Sequence, residues 1–360
     1  METNLLDSDA ETPLLAPPPK ARPVTPAPGE AIEVSPGVLW MRLPLPFALD
    51  HINVYAIADD EGWAIVDAGL ASKASRAGWE TALAGPLGGR PVTRVIATHM
   101  HPDHIGLVGW LCRRFDAPLS MSRLEYVTAR MLLADTGRPA PDAHADYYRA
   151  CGWTDAQIEG WRESYGRFGR AVEDFPPTYH RLTDGDRIPI GGQDWRVVVG
   201  SGHSPEHVCL WREADDVFLA GDQVLPRISS NVSVWPTEPD ADPLEDWLSS
   251  LRKLKAVLPA RMLVLPAHGE PFHDLHKRLD ALIVGHEKSL NRLARRLAEP
   301  MRAVDTFRVL FARPVDDGVL GMATGEAMAN LNHLARQGRA VRRTDKDKVD
   351  WWSTTGGETT

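Results

Sequence analysis

Residues 98–106 read Thr-His-Met-His-Pro-Asp-His-Ile-Gly and set His99, His101, Asp103 and His104 within six positions. A neutral imidazole nitrogen and a carboxylate oxygen are common protein donors to a divalent cation. Four such donors so close together are hard to explain as packing. An extended backbone at 99–101 points side chains i and i+2 to the same side. A helix starting at Pro102, where the missing N–H would have had no partner anyway, swings Asp103 and His104 toward a second position. The stretch therefore reads as two adjacent metal positions, one on each side of a strand-to-helix corner.

Ions with four to six ligands need more donors than this loop supplies. Three later segments offer them. Residues 200–207 read Gly-Ser-Gly-His-Ser-Pro-Glu-His after the apolar run Val197–Val199. Residues 217–222 read Val-Phe-Leu-Ala-Gly-Asp, and residues 262–269 read Met-Leu-Val-Leu-Pro-Ala-His-Gly. Each is a strand-like run that ends in a ligand-type residue, as is Val92–Thr98 before the first cluster. Side chains just past the ends of separate strands can converge at one sheet edge on a rigid base.

On these motifs the chain, over roughly residues 31–275, resembles the metallo-β-lactamase superfamily, and most of all its hydrolase branch of glyoxalase II, lactonases and lactamase-like endoribonucleases. The resemblance implies an α/β fold, an αβ/βα sandwich of two mixed β-sheets flanked by helices. It matches His99, His101 and His203 to a first metal site and Asp103, His104 and His268 to a second. Asp222 matches the carboxylate that bridges both ions. Asp67, in Ile-Val-Asp-Ala-Gly, matches the family's acidic residue beneath the site and implies a role in orienting a ligand histidine. His207 matches a common family histidine that supports the site without ligating. Glu206 stands where the family often has glycine. The related di-iron flavoproteins usually carry Glu at the position of His101, so the histidine favours hydrolysis.

Composition sets the remaining bounds. At 360 residues the chain has room for one large domain and a small one. Cys112, Cys151 and Cys209 are few, odd in number and far apart, which fits a reducing cytoplasm without disulfides. Residues 1–19 lack the basic start and apolar core of a secretory signal, and no apolar run is long enough to span a membrane. Seven prolines between Pro13 and Pro28 read as a disordered or polyproline-like leader over residues 1–30. The net charge of −9 is uneven: residues 276–348 hold 15 Lys and Arg against 9 Asp and Glu, which leaves residues 1–275 at −13. An acidic body is poorly suited to a polyanion, while the basic tail keeps a nucleic-acid partner open.

Along the chain, Val38–Leu43, Ile52–Ala58 and Trp63–Val66 read as strands, and residues 72–89 as a helix and loop. Ile105–Phe115 reads as one helix. Residues 121–182 read as a helical insertion, with helices at Arg123–Ala134 and Asp155–Phe168 and many aromatic residues that form either a substrate wall or packing onto the body. Residues 187–222 return to strands. Asp242 and Pro243 open a helix over 243–258 in cap-and-first-turn order. From 274 an apolar stripe predicts helices, followed by others at about 301–312 and 325–337. Arg339–Arg343 and Val349–Ser353 predict a short hairpin. This 276–353 region resembles, in order and size, the winged-helix-like tail of the endoribonuclease branch, and 354–360 reads as a tail. Packing on the body, or forming a homodimer, is the plainer expectation for it.

The expected function is a dinuclear metal-dependent hydrolase, similar to hydroxyacylglutathione hydrolases, that cleaves a small acyl substrate: a thioester, ester or lactone. The ions are two divalent cations, with zinc expected ahead of iron or manganese. A water or hydroxide bridging them would be the nucleophile, and Asp103 the group that moves the proton. An endoribonuclease or phosphodiesterase using the basic tail is the alternative. His51, His144, His180, His273, His276, His286 and His333 lie outside the matched motifs and read as surface or core histidines. Ser204 lacks the GxSxG elbow of a serine nucleophile.

Overall fold

The computed structural model describes residues 25–355. The expected leader at 1–24 and the end of the tail at 356–360 lie outside the described residues. The strands are β1 (Ala31–Ser35), β2 (Val38–Pro44), β3 (His51–Ala58), β4 (Trp63–Val66), β5 (Val92–Ile96), β6 (Leu119–Ser122), β7 (His180–Leu182), β8 (Arg187–Ile190), β9 (Gln193–Gly200), β10 (His207–Arg212), β11 (Val217–Gly221), β12 (Leu263–Pro266), β13 (Ala340–Thr344) and β14 (Asp350–Thr354). The first sheet runs β1 to β7 in chain order, the second runs β12-β11-β10-β9-β8, and β13-β14 forms a separate hairpin. Both large sheets are mixed: β4, β5, β6 and β7 pair in parallel, as do β11 and β12, and the other pairs are antiparallel.

Strand periodicity sorts the side chains into layers. In β3, Tyr55 and Ile57 point between the two sheets, and Ile52, Val54 and Ala56 point outward to a helical layer. In β11, Val217 and Leu219 join the central layer and Phe218 and Ala220 face the other helices. Both faces of each sheet are buried, so these strands read as continuous apolar runs instead of alternating ones. Helices Lys73–Ala84, Val108–Phe115 and Arg123–Ala134 cover the first sheet. Helix Pro243–Val257 covers the second, and helices Leu275–Arg296 and Leu320–Arg336 pack against that helix in the same apolar cluster. The order is helix, sheet, sheet, helix, with a C-terminal helical region.

Several expectations need correction. Residues 25–30, placed in the leader, form a turn closed by Glu30 N–H on the Ala27 carbonyl, with Gly29 against Thr81. The expected single helix Ile105–Phe115 is two, Pro102–Ile105 and Val108–Phe115. It breaks at Leu107, whose N–H donates to the Gly69 carbonyl at 3.1 Å instead of back along the helix, and Gly106 allows that approach, since an added Cβ would stand 2.3 Å from the Ala71 nitrogen. The segment between 121 and 182 is helical within, including a helix Asp142–Ala150 that the sequence pattern did not single out, but its two ends are the short strands β6 and β7 of the first sheet. At 301–312 a 3-10 turn, Ala303–Thr306, precedes a single helical turn, Phe307–Leu310.

The C-terminal region packs on the body. Val234 N–H donates to the Gly325 carbonyl, the Asn332 amide to the carbonyls of Pro239 and Ala241, and Trp153 Nε1 to Thr324 Oγ1. His333 contacts Asp242, the residue that caps the helix 243–257. Cys112, Cys151 and Cys209 are buried and unpaired. No helix among the described residues is long and apolar enough to cross a membrane.

Candidate metal centre

β4, β5, β9, β11 and β12 all run the same way toward one edge of the sandwich. The chain beyond their C-terminal ends carries Asp67, His99 to His104, His203, Asp222 and His268 in turn. The edge is stitched across the two sheets: Val208 N–H donates to the Thr98 carbonyl at 2.8 Å and Asn53 N–H to the Ala267 carbonyl at 2.7 Å.

The structure brings seven of the side chains named from sequence into one cluster. His99, His101, His203 and Asp222 form one group of converging donor atoms, and Asp103, His104 and His268 form a second beside it. His99 Nε2 lies 2.8 Å from His101 Nδ1 and 3.2 Å from His203 Nε2. His268 Nε2 lies 3.4 Å from Asp103 Oδ2 and 3.4 Å from Asp222 Oδ1. Asp222 spans both groups, with Oδ2 3.3 Å from His203 Nε2 and 3.6 Å from His104 Nε2.

These separations suit donors around an ion. Four donors held tetrahedrally at about 2.0–2.1 Å stand roughly 3.3 Å from one another. His104 Nε2 and Asp222 Oδ1 are buried with no hydrogen-bond partner among the described residues. Such orphaned groups cost about 1–3 kcal/mol each, and a cation between the two groups would satisfy both. The donor set fits two divalent cations.

The histidines are aimed from behind. His104 Nδ1 meets Asp67 Oδ2 at 2.7 Å, His203 Nδ1 donates to the Asn231 carbonyl at 2.7 Å, and His268 Nδ1 donates to the His51 carbonyl at 2.8 Å. His99 Nδ1 meets Thr98 Oγ1, which itself reaches Asp67. In all four rings Nδ1 is engaged and Nε2 faces the cluster, whereas His101 offers Nδ1. Asp67 adopts a left-handed conformation, φ 61°, which Asp tolerates better than most residues. That turn lets its carboxylate accept from Thr98 N–H, Thr98 Oγ1 and His104 together. His207 is not among the converging donors. Its Nε2 accepts from Asp222 N–H at 3.0 Å, and its ring stacks on His99.

Charge is balanced within the cluster. Burial, reinforced by neighbouring imidazoles, holds His99 well below the ordinary histidine value and His101 at about 3. For Asp222 burial acts upward, but His268 and His104 prevail and hold the carboxyl well below the usual range. Asp103 is likewise held at about 2, by His104 and His268 against burial. His268 is raised to about 10 because Asp222 and Asp103 overcome its burial. His104 is raised as well, by Asp67, Asp103 and Asp222 against burial, so the two carboxylates are balanced by positive charge on His268 and His104, the place a cation would fill.

Sequence reasoning missed several supporting residues. Glu125, fully buried at the start of the helix Arg123–Ala134, accepts from Met100 N–H at 2.9 Å and Glu206 N–H at 2.7 Å, so it ties the 99–104 loop to the 203–207 loop. Glu206, whose role the sequence left open, accepts from Leu124 N–H at the same helix start. Asn231 and His51 contribute carbonyls that no side-chain pattern could reveal. Only Thr98, inside the motif, had a local signal.

The fold and this cluster together define a metallo-hydrolase. Residues 48–268 match the model of the metallo-beta-lactamase superfamily, and residues 290–355 match that of the metallo-beta-lactamase-like C-terminal domain. The chain belongs to the metallo-beta-lactamase superfamily. It is similar to the crystal structure of a beta-lactamase domain protein from Burkholderia ambifaria, with 41% identity and a TM-score of 0.86 over 92% of this chain and 96% of that one. It is 26% identical to "Probable metallo-hydrolase YqjP" of Bacillus subtilis (strain 168), over 76% of this chain and 85% of the relative. It is also 23% identical to an atrochrysone carboxyl ACP thioesterase of Aspergillus fumigatus, over 70% of this chain but only 46% of that protein.

Proposed function

We propose that the chain is a dinuclear metal-dependent hydrolase that cleaves a thioester, ester or lactone. The convergence of the seven donor atoms on two adjacent positions, with Asp222 facing both, carries this reading. His99, His101 and His203 would hold one ion, Asp103, His104 and His268 the other, and Asp222 both. Zinc suits the mixed nitrogen and oxygen donors, as do iron and manganese. When bound, such ions polarise a substrate oxygen and lower the pKa of water toward neutrality.

The chain's own groups do the rest. Asp67 and the carbonyls of Asn231 and His51 fix which imidazole nitrogen faces inward. His99 and His104 lie at 0% exposure and close the floor of the site to solvent. Asp103, His101 and His203 are partly exposed and mark its mouth. Asp103 is held ionised by His104 and His268 against burial, and from that mouth its carboxylate would take up the proton released as water adds to the substrate and return it to the leaving group. The similarity to an ACP thioesterase supports the acyl class. Residues 31–275 form the catalytic body in this reading and residues 276–353 a tail that braces it. Buried, unpaired cysteines suit a reducing cytoplasm.

The phosphodiesterase alternative draws less support. Several tail arginines are engaged within the molecule: Arg342 with Asp240 and Asp350, Arg302 with Asp305, and Arg339 with Asn291. The deciding experiment is a turnover screen of metal-replete protein against thioesters (hydroxyacylglutathione included), esters, lactones, phosphodiesters and RNA, with elemental analysis of the same sample. Acyl hydrolysis lost in His101→Ala is expected. Undiminished turnover in that variant, or cleavage confined to phosphodiesters, overturns the reading.

A further inference from the structure

A cavity of about 390 Å³ opens directly from the candidate metal centre, with Met100, His101 and Pro102 at one end. Its walls come from the helical segment between β6 and β7 and from the loop at 235–237. Met131, Leu132, Tyr148, Trp161, Phe168 and Trp235 supply most of the surface. The aromatic wall is packed in place: Tyr148 lies 5.0 Å from Trp161 and stacks at 4.2 Å on Trp153, which is anchored to Thr324. Two of the apolar side chains stay open to solvent, Met131 at 44% and Trp235 at 45%. Both adjoin the apolar lining of the cavity, so the exposed apolar surface there is continuous with the cleft, as at ligand-binding grooves.

Among the polar groups of the cavity wall, Thr128 and Thr237 add hydroxyls and Ser164 donates to the Trp161 carbonyl, while the titratable Asp135 and His144 are muted. Asp135 is occupied by the Tyr165 hydroxyl at 2.8 Å. His144 lies between Trp161 and Tyr165, and burial lowers its pKa so that it is neutral at pH 7. The only full cation is Arg167, exposed at the rim and without an ion-pair partner among the described residues. A volume in the range of small-ligand sites with this lining offers little to a peptide-like, sugar or nucleotide group, each of which needs several buried partners.

We propose that this cavity is an acyl-group subsite selecting substrates with a bulky apolar acyl portion, aryl or medium-chain alkyl, whose carbonyl sits at the His101 end. The assignment rests on the acyl-hydrolase reading and narrows it. At about 30 Å³ for a water-sized group, the space takes roughly a dozen heavy atoms. The thiol or alcohol half leaves through the open mouth, and the cavity does not specify it. Hydrolysis here adds water across the acyl–sulfur or acyl–oxygen bond and releases the carboxylic acid and the thiol or alcohol.

The test is a series of N-acetylcysteamine thioesters (acetyl, butanoyl, hexanoyl, octanoyl and phenylacetyl) on wild-type, metal-loaded protein. Burying each added methylene is worth about 0.8 kcal/mol, so kcat/KM should rise about fourfold per carbon until the cavity is full. Phenylacetyl should rank with the longer chains if aryl groups are taken. Met131→Arg and Trp235→Ala, both at exposed side chains and so expected to fold, should lower the octanoyl-to-acetyl ratio at least tenfold. A flat series in wild type, or a ratio unmoved in both variants, overturns the subsite while leaving acyl hydrolysis standing. A separate arm covers the case in which no acyl compound turns over and the activity reading fails. Octanoate binding, followed by tryptophan fluorescence, should be weakened at least tenfold by Met131→Arg; no binding to wild type overturns the subsite on its own.

Discussion

Asp67→Asn is the sharpest probe of the site. The Asp67 carboxylate faces three donors at once: Thr98 N–H at 2.8 Å, Thr98 Oγ1 at 2.8 Å and His104 Nδ1 at 2.7 Å. An asparagine keeps the shape but turns one of the two acceptor atoms into a donor. One buried donor must then face another, at about 1–3 kcal/mol. If His104 escapes by moving its proton to Nε2, that nitrogen loses the lone pair it would offer an ion beside Asp103 and Asp222. Losing a partner behind a ligand histidine typically lowers metal affinity about 10–100-fold, or roughly 1.4–2.7 kcal/mol. The assay is competition with a chromophoric chelator, resolving the two binding steps. Urea denaturation of the metal-free protein separates plain destabilisation. Affinity should fall mainly in the step assigned to Asp103, His104 and His268. An unchanged second step, with stability alone reduced, would show that Asp67 braces the loop and does not orient the ligand.

Three more outcomes follow from the geometry. Glu125→Gln turns an acceptor shared by Met100 N–H and Glu206 N–H into a half-donor; it should cost about 1–3 kcal/mol in urea denaturation and reduce the metal content of purified protein, and full metal content would refute its place between the two loops. Gly221→Ala should cost about 3 kcal/mol or more by thermal denaturation, because the residue sits at φ 52° and an added Cβ would stand 2.5 Å from the His207 ring; normal stability would show that His207 can move aside. Glu326, beside Asn231, has its carboxyl raised by burial from 4.5 to about 7. The folded state thus holds the proton over that window, and stability from this group falls as pH rises from about 4.5 through 7. Glu326→Gln should gain on wild type by about 1–3 kcal/mol between pH 5 and pH 8 in urea titrations, and a pH-independent difference would count against a protonated Glu326.

The ligand-type residues were legible because their chemistry is rare and sits in short segments at strand ends. A His-x-His-x-Asp-His run has few packing explanations, and Val217–Gly221 before Asp222 announces its own strand. The layers were legible where apolar runs are long. They were not at β6 and β7, whose sequences Leu-Ser-Met-Ser and His-Arg-Leu carry little strand signal and become strands by pairing beside β5. The helix Asp142–Ala150 was missed because its tyrosines face a core shared with the C-terminal region, so its periodicity depends on a partner far away in sequence.

By itself the sequence determined the donor set, its order and the kinds of strand that present it, since side-chain chemistry and local periodicity are properties of neighbouring residues. Folding decided the rest. It turned the Nδ1 atoms of His203 and His268 toward carbonyls 28 and 217 residues away, set Glu125 between two loops and enclosed an apolar cavity beside the cluster. Those features are relations between distant segments, fixed only when the two sheets close on each other and bury the groups that lie between them.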